Sequence, residues 1–112
     1  MIIKNSCSNF LGIPNAELVI KNYGDIQEVK RNNTLILLPP ALFTFLINFV
    51  KKANNHSYVN FKDEDWNYER NTLQRYAKKI NDICKETNVR ELIKARRGYG
   101  YYLDVESFLL IE

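Results

Sequence analysis

The stretch Leu92-Ile93-Lys94-Ala95-Arg96-Arg97-Gly98-Tyr99-Gly100-Tyr101-Tyr102-Leu103 leaves the chain few options. Two short β-prone runs enclose a turn that carries two arginines, two glycines and a tyrosine. Glycine supplies the backbone freedom a tight turn demands, so the segment reads as a β-hairpin with a cationic tip. A basic amphipathic pattern from Asn71 to Glu86 lies directly before it. A helix that feeds a positively charged hairpin is therefore the first unit expected.

Charge distribution strengthens this reading. The net charge of +3 over 112 residues is modest. Residues 70–103, however, hold nine basic against three acidic side chains, a net of +6, and the rest of the chain is acidic. An imbalance confined to one supersecondary unit points to a polyanionic partner. The length fits a single domain over 1–112, divided here into an N-terminal arm or strand (1–15), a core (16–104) and a C-terminal strand or dimer contact (105–112).

Along the chain, Glu17–Asn22, Ile26–Lys30 and Thr34–Leu38 read as three short strands. The turn residues Asn22-Tyr23-Gly24-Asp25 and Arg31-Asn32-Asn33 join them into an antiparallel meander. Pro39-Pro40 then opens a helix whose apolar face is Leu42, Phe43, Phe45, Leu46, Phe49 and Val50. A short acidic second helix is expected from an Asn60 N-cap through Asp63, Glu64, Asp65 and Trp66. The third helix spans about Glu69 to Glu86, with Leu73, Tyr76, Ala77, Ile80, Ile83 and Cys84 as its buried stripe. Its opposite face carries Arg70, Asn71, Gln74, Arg75, Lys78 and Lys85. The apolar end Phe108-Leu109-Leu110-Ile111 reads as an added strand or as cover for a second subunit.

The order strand–strand–strand–helix–short helix–helix–hairpin resembles the winged helix-turn-helix effector domain of the OmpR/PhoB class. The residues that carry the likeness are Ile93-Lys94, Arg97-Gly98, Gly100-Tyr101 and Leu103 in the hairpin. Leu73, Arg75, Tyr76, Lys78-Lys79 and Ile80 carry it in the third helix, and Leu38-Pro39-Pro40 with Phe43 at the entry to the first. Three features depart from the pattern. Ala77 replaces a usual arginine, Leu42 replaces a common glutamate, and the segment between the first and third helices is about ten residues short. The resemblance implies an α+β fold: an N-terminal antiparallel β-meander, three helices with the second cut back, and a C-terminal β-hairpin wing. Small accessory proteins that bind a plasmid's origin of transfer are similar in size and character. No receiver-like half accompanies the domain, so the expectation is a stand-alone DNA-binding protein in transcription or conjugation.

On this reading Arg96 and Arg97 enter a narrow A·T-rich minor groove, where negative potential is strongest. Gly98 allows close approach to the sugar-phosphate wall. Tyr99 packs on sugars or binds a phosphate, and Lys94 contacts backbone. Arg70, Gln74, Arg75 and Lys78 face the major groove. Tyr101 and Leu103 read as structural. A homodimer on repeated half-sites is expected, in the cytoplasm, without cofactor or membrane. The competing reading is a protein-interaction module. Enzymatic activity and metal binding are not expected. The chain holds two cysteines and one histidine, His56, with no ligand spacing, no phosphate-cradling glycine loop and no nucleophile–base constellation.

Overall fold

The computed structural model describes residues 10–55, 58–60 and 68–112. Among the described residues nine elements follow one another: β1 (Phe10–Gly12), β2 (Leu18–Tyr23), β3 (Ile26–Arg31), β4 (Thr34–Leu35), α1 (Pro40–Asn55), α2 (Arg70–Glu86), β5 (Ile93–Arg96), β6 (Gly100–Leu103) and β7 (Phe108–Ile111). They fall into two compact units, Met1–Leu37 with Val105–Glu112, and Leu38–Asp104.

The first unit is a five-stranded sheet in the order β1-β7-β2-β3-β4. The meander β2-β3-β4 forms because its turns suit left-handed backbone: Gly24 has φ +56°, and Asn32 and Asn33 have φ 49° and 68°. Asparagine tolerates that region better than other side chains, which makes Asn32-Asn33 a natural two-residue hairpin turn. β4 is shorter than the Thr34–Leu38 strand the sequence suggests. Ile36 still donates to the Val29 carbonyl at 2.8 Å, but Pro39 and Pro40 have no N–H to continue the ladder. Leu18 and Ile20 of β2, Val29 of β3 and Leu110 of β7 are buried. Arg31 faces Leu18 across the ladder and is buried with them. Its Nε donates to Glu17 Oε2 at 2.6 Å. The other oxygen of Glu17 accepts the Glu106 N–H, which ties the approach to β7 to the same carboxylate.

The second unit packs α1 with α2 and carries the hairpin β5-β6 as a separate two-stranded sheet. Phe45 is fully buried. Its ring lies 6.1 Å from Phe49 and meets Tyr68 and Tyr76 edge-on at 5.0 and 5.3 Å, the offset geometry aromatic quadrupoles favour. Of the stripe expected for α2, Leu73, Ala77, Ile80 and Cys84 are buried, whereas Tyr76 and Ile83 are only half-buried. The helix stops at Thr87-Asn88. Asn88 takes φ 59°, and the Asn88 and Val89 amides donate back to Lys85 and Cys84 carbonyls. This is the paired closure by which a left-handed residue ends a helix.

The expected winged helix-turn-helix is not what forms. The chain has a five-stranded sheet and two helices among the described residues, in place of three helices with a hairpin wing. The decisive difference is β7. The apolar run 108–111 lies between β1 and β2, antiparallel to β1 and parallel to β2, where Leu110 is buried and its three neighbours are half-buried. A three-stranded meander thereby becomes one side of a mixed sheet, with β4 at its edge. The same placement puts β7 inside the sheet rather than on a free edge. The short helix expected from Asn60, including the Asp63-Glu64-Asp65 cluster and Trp66, falls on residues 61–67, outside the described residues, as do Cys7 and His56. Asn60 itself is not helical. Among the described residues no helix is long and apolar enough to cross a membrane.

Candidate functional site

The hairpin is fixed to its surroundings at three places within the second unit. At its base, Asn81 of α2 donates to the Ile93 carbonyl at 2.7 Å, and its side-chain oxygen accepts the Leu92 and Ile93 amides at 3.2 Å. An asparagine within a helix is a poor helix former. Here it spends its amide on the next element instead. Nearby, the Asp104 amide donates to the Leu92 carbonyl at 2.7 Å. Along its outer edge, the segment at Val59 pairs with β6. Val59 N–H donates to the Tyr101 carbonyl at 2.7 Å, and Tyr101 N–H returns a bond to the Val59 carbonyl at 2.9 Å. This approach requires glycine at position 100. A Cβ there would stand 2.6 Å from the Val59 oxygen, and the residue has φ +119°.

Two clefts flank the seam between α2 and the hairpin, and their electrostatics differ. One, of about 560 Å³, is lined by Lys78, Lys85 and Lys94 together with Asp82 and Glu91. Each of these lysines is matched by a carboxylate: Lys78 to Asp82 at 3.0 Å, Lys85 to Glu91 at 3.1 Å, and Lys94 to Asp104 at 3.0 Å. The other, of about 480 Å³, is lined by Arg70, Gln74, Arg96, Arg97, Gly98 and Tyr99, with Asn60, Leu73, Ala95, Gly100 and Tyr101 completing it. Three arginines border it and, among the described residues, no carboxylate lines it. Arg70 opens α2, where the helix already presents its positive end, and the first turn carries no acidic residue.

Within the arginine-lined cleft the two tip arginines are held differently. Arg96 donates from Nη1 to the Tyr58 hydroxyl at 3.0 Å. Its guanidinium carbon lies 4.4 Å from the centre of the Tyr99 ring, a cation–π arrangement. Tyr58 in turn packs on Tyr99 at 5.2 Å and meets Tyr102 edge-on at 5.8 Å. Arg97 is exposed at the turn, with no hydrogen bond, ion pair or ring contact from its side chain among the described residues. Gly98 has φ +85° and open space around it. Tyr99 is 53% exposed.

The structure gathers Arg70, Gln74, Arg96, Arg97, Gly98 and Tyr99 into one concave surface. It separates Lys78 and Lys94 from that surface and pairs them internally. Arg75 lines neither cleft and lies 5.5 Å over the Tyr76 ring. The sequence pattern does not mark Tyr58, Asn60 or Asn81 as site residues; the asparagine within a helix is the one signal that points to a side-chain role. Among the described residues there is no group of three or more His, Cys, Asp or Glu side chains placed to hold a metal ion. No family model, no characterised protein and no solved structure matches the chain.

Proposed function

We propose that the protein is a non-catalytic, sequence-specific binder of double-stranded DNA. The observation that carries this reading is the contrast between the two clefts. The lysines of one are neutralised within the molecule, whereas Arg96 and Arg97 of the other face solvent with tyrosine or no partner in place of a carboxylate. Guanidinium groups without a counter-charge among the described residues, on a projecting hairpin, suit a polyanion. The hairpin tip enters the minor groove, and the first turns of α2, with Arg70 and Gln74, lie near the adjacent major groove. Lys78 and Lys94 contribute less than their charge suggests, because an incoming phosphate must compete with Asp82 and Asp104.

One hairpin and one helix make a short footprint, so two copies are required for a specific site, as a transcriptional regulator or an origin-of-transfer accessory factor in the cytoplasm. The test is a mobility-shift assay on duplexes selected from a random pool, with the mass of the complex giving its copy number. Replacing Arg96 and Arg97 together by alanine abolishes specific binding, and Arg75→Ala weakens it less. Each lost phosphate contact lowers the slope of log affinity against log salt by about one unit. Near-normal binding by the double variant refutes the proposal, and capture of protein but not DNA favours the interaction-module reading.

A further inference from the structure

Resting on the DNA-binding reading, we infer that Arg96 is the specificity-determining residue of the hairpin, that Tyr58 is its positioning residue, and that Arg97 is a sequence-indifferent phosphate contact. A guanidinium carries five N–H donors in a rigid planar fork. In Arg96 the Tyr58 hydroxyl takes one of them and the Tyr99 ring covers a face. These two contacts restrain the guanidinium before any ligand arrives. The remaining donors share the plane of the guanidinium, and the residue is exposed to solvent. A reader of base edges or groove width depends on such pre-orientation, since a mobile cation accepts any phosphate with equal ease.

Tyr58 can impose this orientation because it is itself held. Its neighbour Val59 is fully buried and makes the reciprocal pair of backbone bonds with Tyr101. Its ring touches Tyr99 on the turn and Tyr102 on β6. Residues 58–60 thus act as a buttress that meets the hairpin from outside and points a hydroxyl at one arginine only. Arg97 is the adjacent residue with the same charge and none of this support. Sequence adjacency makes the two look equivalent; their surroundings assign them different tasks.

The inference is tested with Tyr58→Phe, Arg96→Ala and Arg97→Ala in the full chain, measuring affinity for a selected duplex and for a scrambled one. Tyr58→Phe lowers the ratio of specific to non-specific affinity about fivefold, the effect of one hydrogen bond of roughly 1 kcal/mol, and leaves the urea midpoint unchanged. The loss disappears in the Arg96→Ala background. Arg97→Ala weakens both duplexes equally and reduces the salt slope by about one. In the DNA-free protein, NMR relaxation of the arginine Nε–H groups reports Arg96 as ordered, Arg97 as mobile, and Arg96 as loosened in Tyr58→Phe. Equal mobility of the two arginines overturns the inference, as does a Tyr58→Phe protein that discriminates like the wild type. A wild-type protein that binds neither duplex overturns the parent reading and the inference with it.

Discussion

Gly100→Ala tests whether the hairpin is held by the segment beside it. Two separable costs arise. The first is backbone strain, because residue 100 sits at φ +119°, and a side chain in a sparsely populated region costs about 1–3 kcal/mol. The second is collision. The new Cβ would stand 2.6 Å from the Val59 carbonyl oxygen and 3.2 Å from its carbon, both backbone atoms. Relief requires residues 58–60 to move outward. That breaks the two bonds between Val59 and Tyr101, worth about 1 kcal/mol each. The total is about 3–5 kcal/mol when both are taken from these sources.

Gly98→Ala is the control. Position 98 has φ +85° but nothing within 4 Å of the added carbon, so only the strain applies. The two variants should differ by about 2 kcal/mol, a shift of about 1–2 M in urea midpoint at slopes of 1–2 kcal/mol per M. Urea unfolding followed by far-ultraviolet circular dichroism measures the difference. Amide exchange at Tyr101 locates it, since that N–H loses its acceptor in Gly100→Ala alone. Equal midpoints for the two variants, with Tyr101 protected in both, would refute the buttress.

Two further outcomes are expected. Asn81→Ala removes three hydrogen bonds at the base of the hairpin, which costs about 2–3 kcal/mol; hydrogen exchange at Leu92 and Ile93 should accelerate while α2 near Leu73 stays protected. Glu17→Ala removes the carboxylate paired with the Arg31 guanidinium, whose side chain is only 3% exposed, at a cost of about 3 kcal/mol, the lower end for a broken buried pair because Glu17 is itself partly exposed. The double variant with Arg31→Met should recover most of that loss in urea unfolding, since replacing both partners removes the uncompensated charge.

Local patterning made much of this molecule legible. The stripe of α2, the proline-led start of α1, the asparagine turn at Asn32-Asn33 and the glycine-bearing hairpin all depend on neighbours within a few residues. For each, the spacing of apolar side chains or the tolerance for left-handed backbone is decisive. The same locality explains why Arg70, Gln74, Arg96, Arg97, Gly98 and Tyr99 were recognised as cationic or turn residues of one unit.

What the sequence determined alone was therefore the identity of most elements and the sign of the charge on the hairpin. Tertiary structure decided which strands are neighbours and which charges are available. Phe108–Ile111 takes its place between β1 and β2 through a pairing ninety positions away in sequence, and no local pattern specifies such a partner. Lys94 and Arg96 look alike in the chain, two residues apart on β5. Asp104 claims one and Tyr58 orients the other. Availability of a charge depends on what lies within about 4 Å of it in space, and that distance is set only once the chain has folded.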